Sequence, residues 1–279
     1  MKSYLFLFTR FNLRLWPRDK SNKITLSEEW LKERFTLFEN YCFPSVKSQT
    51  YSDYFWICLF DKDTPYEYKE RISLYKKIMP QFMPYYLGKE DTKNLVPYLN
   101  RIIEDYVIDR KAPIVQIRLD NDDALQKDFF KKIIAKVESQ KEDLMIYSFK
   151  YGYQYYCKMN FAMQIPYPNN HFLTMINKNY PSLHLNILGY NHYLIMEEGL
   201  PFTCFSNKQP MWLEVIHDSN VDNDVKMTLS QHVCHIKNLN DFGIQNVELN
   251  SDCITFIKFY FRFMNQIIKH IKNKIIHRN

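Results

Sequence analysis

The feature that most constrains the fold is an alternation of apolar runs and amphipathic stretches over the first 150 residues. Tyr4–Phe8, Phe55–Phe60 (FWICLF), Ile114–Leu119 (IVQIRL) and Leu144–Phe149 are mostly apolar and of strand length. Runs of this kind belong to strands covered on both faces. Between them, Leu31, Phe35, Phe38 and Cys42 recur at spacings of three and four, as do Leu95, Leu99, Ile102, Ile103 and Tyr106. Asp128–Val137 is a further helical stretch. Strands alternating with helices predict an α/β fold with a mostly parallel central sheet flanked by helices. Thr25-x-x-Glu28 has the form of a capping box. Thr64-Pro65-x-Glu67 has the form of a helix start with Thr at the N-cap and Pro at the first position. Pro44 ends the first helix or opens a new turn. After Tyr151 the pattern becomes irregular and aromatic, and Tyr151, Tyr153, Tyr155 and Tyr156 alternate partly like a strand.

The 279 residues fit one large domain, or one domain with a small appendage. Only five glycines occur, and neither GxGxxG nor GxxxxGK[ST] is present, which excludes the common glycine-rich phosphate loops. Six widely spaced cysteines without a CxxC suggest reduced, mostly buried thiols. The first apolar run is too short to cross a membrane, and no segment approaches the roughly 20 apolar residues that spanning needs. The net charge of +6 sits in the tail: Lys258, Arg262, Lys269, Lys272, Lys274 and Arg278 have no acidic neighbour after position 257. This argues against nucleic acid as a partner of the body. Ile257, Phe261, Met264, Ile268, Ile271 and Ile275 give the tail helical spacing, and a basic amphipathic helix is expected over Ile254–Ile276. Such a helix suits either an anionic membrane surface or packing on the domain. The expected division is a domain over 1–220 and a C-terminal extension over 221–279.

Ligands of open α/β sheets collect at the carboxyl ends of the strands. Two acidic clusters fall there: Asp61-Lys62-Asp63 after FWICLF, and Asp120-Asn121-Asp122-Asp123 after IVQIRL. Carboxylates this close oppose each other's ionisation. A hard divalent cation such as Mg²⁺ or Mn²⁺ removes the conflict and commonly shares its coordination with substrate phosphates. One aspartate would be explained as a helix N-cap, contributing about 1 kcal/mol; three after a strand would not.

The stretch PSVKSQTYSDYFWICLFDKDTP (Pro44–Pro65) resembles the opening of GT-A glycosyltransferases, and LDNDD (Leu119–Asp123) resembles their DxD motif. With FTRFNLRL, WLKERFTLFENYCFPSVKSQT, RLDNDDAL and MWLEVIHDSN in order, residues 4 to 220 resemble the rhamnosyltransferase family of bacterial polysaccharide loci. The resemblance implies a GT-A (nucleotide-diphospho-sugar transferase) fold and transfer from a nucleoside-diphosphate sugar, such as dTDP-rhamnose or a UDP-sugar, to a glycan or lipid-linked glycan. It implies a cytoplasmic enzyme, peripheral at the inner membrane face, that uses Mn²⁺ or Mg²⁺. It places Thr9, Arg10, Asp61, Asp63, Arg118 and Asp120 at the donor, and Asp120, Asp122 and His217 at the metal. Asp123 would ligate the ion or orient donor or acceptor.

An inverting reaction also needs a base. The candidates are Asp123, Glu197, Glu198, Glu214 and Asp218, with Glu198 standing in loosely for the usual acidic pair and all but Asp123 expected to be exposed. Arg118, a charge inside an apolar strand, is alternatively a structural ion pair with a neighbouring aspartate. His232-x-Cys234-His235 lacks the second half of a zinc site. Two other readings compete. FDKDTP fits the strand-DxDxT motif of haloacid-dehalogenase phosphatases, with Asp61 as nucleophile. A glycan- or membrane-binding protein without turnover is the non-enzymatic case.

Overall fold

The computed structural model describes residues 2–15, 24–180, 183–192, 194–217, 232–233, 236–250 and part of 254–264. Seven strands form the main sheet: β1 (Tyr4–Arg10), β2 (Phe55–Asp61), β3 (Phe82–Leu87), β4 (Ile114–Arg118), β6 (Leu144–Phe149), β9 (Thr174–Asn177) and β10 (Phe202–Phe205). Their order is β10-β6-β9-β4-β1-β2-β3. Neighbours are parallel except at β9, which runs antiparallel between β4 and β6. The expected α/β class with a mostly parallel central sheet is what forms.

Alternate residues of the central strands enter two cores. Leu5, Leu7, Trp56, Cys58, Phe60, Val115 and Ile117 pack with Trp30, Leu31, Phe35, Ile72, Phe129 and Ile133 on one face. Phe6, Phe8, Ile57, Leu59, Ile114 and Ile146 pack with Leu99, Ile102 and Ile103 on the other. Burial on both faces is why these strands read as unbroken apolar runs.

The helices are α1 (Glu28–Leu37), α2 (Phe43–Lys47), α3 (Tyr66–Ile78), α4 (Lys89–Lys93), α5 (Leu95–Tyr106) and α6 (Phe129–Ser139). A π-helical turn over Phe38–Cys42 joins α1 to α2, and Pro44 stands in the first turn of α2, the second of its two expected placements. Both predicted caps differ. Ser27, not Thr25, caps α1, its hydroxyl accepting from Trp30 N at 3.4 Å. Pro65 rather than Thr64 stands at the N-cap of α3, because the Thr64 hydroxyl is drawn back to donate to the Asp61 carbonyl at 2.6 Å.

The aromatic stretch after Tyr151 builds a second sheet from β5 (Ala124–Leu125), β7 (Tyr151–Tyr156), β8 (Phe161–Pro166), β11 (Trp212–Ile216) and β12 (His232–Val233), in the order β12-β8-β7-β11-β5. A β-carbon on Gly152 would lie 2.0 Å from the Trp212 ring, so the indole occupies the space that any side chain there would need. A hairpin of β13 (Asn238–Leu239) and β14 (Ile244–Glu248) follows. Its Leu239, Phe242 and Ile244 pack with Ala124, Tyr155 and Leu213. Among the described residues no helix is long and apolar enough to cross a membrane. Most of the expected tail helix lies outside the described residues; Ile254, Ile257 and Phe261 are within it, helical and exposed.

Candidate active site

β1, β2 and β4 are adjacent and parallel, so their carboxyl ends lie side by side. Arg10 ends β1, Asp61 ends β2, and Arg118 ends β4 just before Asp120–Asp123.

The two acidic clusters are held differently. Asp61 is 4 % exposed and clamped by Arg14, whose Nε and Nη2 reach its two oxygens at 2.8 and 3.2 Å; the same Nη2 reaches Asp63 at 2.8 Å. The Asn12 side chain accepts from Asp61 N at 3.1 Å and donates to the Thr64 hydroxyl at 3.0 Å. Thr9 lies one residue inside the strand end. It is fully buried, and its hydroxyl accepts from Trp56 Nε1 at 3.0 Å, which turns it into the core rather than toward the open edge.

In the second cluster each carboxylate has its own surroundings. The Asp120 side chain is 35 % exposed, with Arg10 Nη2 and Arg118 Nη2 each 3.8 Å from Oδ1. Burial pushes its pKa up, but the positive charges of Arg118, His171 and Arg10 outweigh that and hold it below the usual carboxylate range. Asp122 is buried and shared by two partners: Arg34 Nη1 donates to Oδ2 at 2.7 Å, and His217 Nε2 lies 2.9 Å from the same oxygen. Burial again opposes ionisation; Arg34 and His217 more than offset it, so the group stays well below its ordinary value. Arg34 also donates to Asn121 Oδ1 at 3.2 Å, while Asn121 Nδ2 donates to the Phe11 carbonyl at 2.8 Å. This ties the loop to α1 and to the end of β1.

Asp123 is fully buried, with both oxygens engaged. His171 Nε2 is 2.6 Å from Oδ2, and Val215 N donates to Oδ1 at 2.9 Å. Burial, with the charges of Asp122, Glu214 and Asp120, pushes its pKa well above the ordinary carboxylate value. A cation at this point reverses that balance. One oxygen of Asp120, one of Asp123 and a ring nitrogen of His171 all lie within 4.8 Å of one another, close enough for one ion to touch all three. This is the group of ligand spacing found among the described residues. It shares Asp120 with the expected set, while the expected ligands Asp122 and His217 are paired with each other beside it. A two-carboxylate, one-imidazole donor set fits Mn²⁺, which accepts both donor types, better than Mg²⁺, which prefers oxygen.

The base candidates separate by burial. Glu214, expected to be exposed, is 1 % exposed: it is on β11 opposite Asp123, where β5 and β11 run antiparallel. Gln154 donates to its Oε2 at 2.6 Å, and Tyr156 donates to Gln154 Oε1 at 2.8 Å. Glu214 Oε1 has no partner among the described residues. Glu197 and Glu198 are exposed in a turn, and no hydrogen bond or ion pair described joins them to the cluster. Asp218 lies outside the described residues, as do Cys234 and His235 and the side chain of His232.

Three site residues escaped the sequence reading. Arg34 had a signal: it falls at helical spacing from Trp30, Leu31 and Phe38, on the apolar face, where an unpaired charge is costly. Arg14 and His171 had none, being loop residues brought in by tertiary structure.

A family model described as "Putative rhamnosyl transferase" matches residues 5–229. A search of curated proteins finds no match. Similar solved structures include residues 1–349 of S. aureus TarS, at 8 % identity and a TM-score of 0.43, covering 77 % of this chain and 60 % of that one. The same TarS fragment in complex with UDP-GlcNAc gives 8 % identity and a TM-score of 0.39, over 79 % of this chain and 60 % of that one. A "putative nucleotide-diphospho-sugar transferase" from Desulfovibrio desulfuricans G20 gives 11 % identity and a TM-score of 0.37, covering 79 % of this chain and 84 % of that one. The chain thus spans about 60 % of the length of the TarS fragment. With a match over most of its length, the chain belongs to the rhamnosyl transferase family.

Proposed function

We propose that the protein is a metal-dependent rhamnosyltransferase, moving rhamnose from a nucleoside-diphosphate donor such as dTDP-rhamnose to a surface-glycan acceptor. The observation that carries this reading is the convergence, at one strand edge, of two arginines with a carboxylate–imidazole group spaced for one cation. Asp120, Asp123 and His171 would hold the ion. When bound, a divalent cation offsets the negative charge that builds on the departing nucleoside diphosphate. Arg10 and Arg118 flank the same position and supply charge for phosphate oxygens. Asp61, fixed by Arg14 at the end of β2, offers a carboxylate to the nucleoside. Asp122, between Arg34 and His217, holds the loop in shape.

The base is a separate matter. Asp123 is engaged through both oxygens, so its part is to position His171 and the ion. Acceptor deprotonation falls to a carboxylate brought in elsewhere, with Glu198 or Asp218 as the candidates. The phosphatase reading is disfavoured by Asp61 itself. A phosphoryl nucleophile needs a free oxygen in line with phosphate, and both oxygens of Asp61 are held by Arg14. The setting implied is the inner membrane face, with the basic tail as the contact.

Titration calorimetry with dTDP or UDP and Mn²⁺ tests the assignment. Wild type should bind nucleotide in a metal-dependent manner, and Asp120→Ala should lose that dependence. Absence of metal-dependent binding in the wild type defeats the reading.

A further inference from the structure

A cavity of about 180 Å³ opens between the start of β11, the end of β5 and the β13–β14 hairpin. It lies on the face of the second sheet that carries Tyr153 and Leu213, the reverse of the face carrying Asp123 and Glu214. Along β5 it is about 10 Å from Asp123 to Gln126, which lines it.

The polar part of the lining is mostly carboxamide. Three carboxamides, Gln126, Gln209 and Asn238, surround the space, and each has its side-chain oxygen taken by a protein N–H donor. Asp128 N donates to Gln126 at 2.7 Å, Asn240 N donates to Asn238 at 3.1 Å, and Lys132 Nζ donates to Gln209. Because each partner is a donor, the oxygens are fixed and the amide orientation follows. The three NH₂ groups have no partner among the described residues. Gln126 is 2 % exposed overall, so its uncommitted donor is presented from a nearly buried side chain. Asp241, ion-paired to Lys127 at 2.8 Å, supplies a carboxylate acceptor. Tyr153 and Phe242, with ring centroids 5.9 Å apart, supply an apolar wall.

Converging donors, one acceptor and an aromatic wall suit a ligand with many hydroxyl and ether oxygens and an apolar C–H face. A pyranose ring has that chemistry. The volume is below the roughly 300 Å³ at which drug-sized pockets begin, and fits a single unit. A free phosphate would find Lys237 on the lining but is the poorer match, since it would also face Asp241 and leave the aromatic wall unused.

We propose that this cavity is a saccharide subsite, seating one neutral pyranose of the acceptor glycan away from the transfer centre. The proposal rests on the glycosyltransferase reading for the identity of that glycan, but the binding chemistry stands apart from it.

Saturation-transfer NMR on the full chain, without metal or nucleotide, tests it with methyl α-L-rhamnoside, methyl β-D-glucoside and inorganic phosphate as probes. At least one pyranoside should receive saturation from the wild type and from Asp120→Ala. Tyr153→Ala, or the rim pair Gln209→Ala with Asn238→Ala should the first variant not fold, should weaken it about tenfold, equivalent to about 1.4 kcal/mol. The same variants should keep metal-dependent dTDP binding. No saturation of either pyranoside, or equal saturation in the rim variant, overturns the subsite while leaving the transferase reading intact. Pyranoside binding in a chain that binds no nucleotide supports the subsite and defeats the transferase reading instead.

Discussion

At the scale of single residues, the cluster after β4 shows four neighbouring side chains put to different uses. Asp120 is presented to the open edge, Asn121 staples the loop to the Phe11 carbonyl, Asp122 is held between Arg34 and His217, and Asp123 is sunk beside His171. Arg34 is the critical partner, since removing one member of a buried pair strands the other. Arg34→Ala should cost about 3–5 kcal/mol in chemical denaturation, and adding Asp122→Asn should recover part of that loss. Metal binding separates the two candidate ligand groups. His171→Ala should weaken Mn²⁺ binding, followed by electron paramagnetic resonance, by at least about tenfold. His217→Ala should weaken it less; the reverse order would move the ion to the Asp122–His217 pair.

At the scale of elements, Gly152 sets how closely β7 and β11 approach. Trp212 lies across it, donates from Nε1 to the Phe149 carbonyl at 2.7 Å and stacks on Phe172 at 5.1 Å. Gly152→Ala should lower stability by at least about 1–3 kcal/mol, read as a shift in the urea midpoint. Four strands of the main sheet, β1, β2, β4 and β6, were legible because they are apolar on both sides and separated by helices; β3 and β10 are only partly buried and β9 is four residues long, and none of the three was read from the sequence. The second sheet was less legible. Only the partial alternation of Tyr151, Tyr153, Tyr155 and Tyr156 hinted at it, because that sheet carries a buried polar row, Gln154, Tyr156 and Glu214, which breaks the apolar pattern expected of a buried strand. The position of the acidic loop was legible because strand ends are where open sheets collect charge. Its internal division was not, because Arg34, His171 and His217 lie 88, 48 and 95 residues from the aspartates they hold.

At the scale of the whole molecule, the hairpin of β13 and β14 bears on where the folded body ends. Leu239, Phe242 and Ile244 are each no more than 2 % exposed, and Gly243, at φ +69°, fits against Ser48 and Pro44, where a β-carbon would come within 2.6 Å. We therefore place the start of the extension after Asn250 rather than at 221. A chain ending at Asn250 should keep its melting temperature and Mn²⁺-dependent nucleotide binding. One ending at Asn220 should lose several kcal/mol, at about 1.5–3 kcal/mol for each large apolar side chain removed. The π-helical turn has a reach of the same order. Ahead of it Arg34 holds Asp122; behind it Ser45 accepts from Leu125 N at 3.3 Å, and Gln49 bridges the Gln126 carbonyl and Phe130 N at 2.9 and 3.1 Å. One rod thus grasps the acidic loop at both ends, and its two hands stay aligned across a single surplus residue in the winding. Excising one position between Phe38 and Cys42 would remove the surplus and leave a regular rod with both hands in line, whereas adding one residue to the regular winding of α1 would turn the second hand by about 100° relative to the first, so the loop would lose its far anchor although every residue that touches it had been left in place.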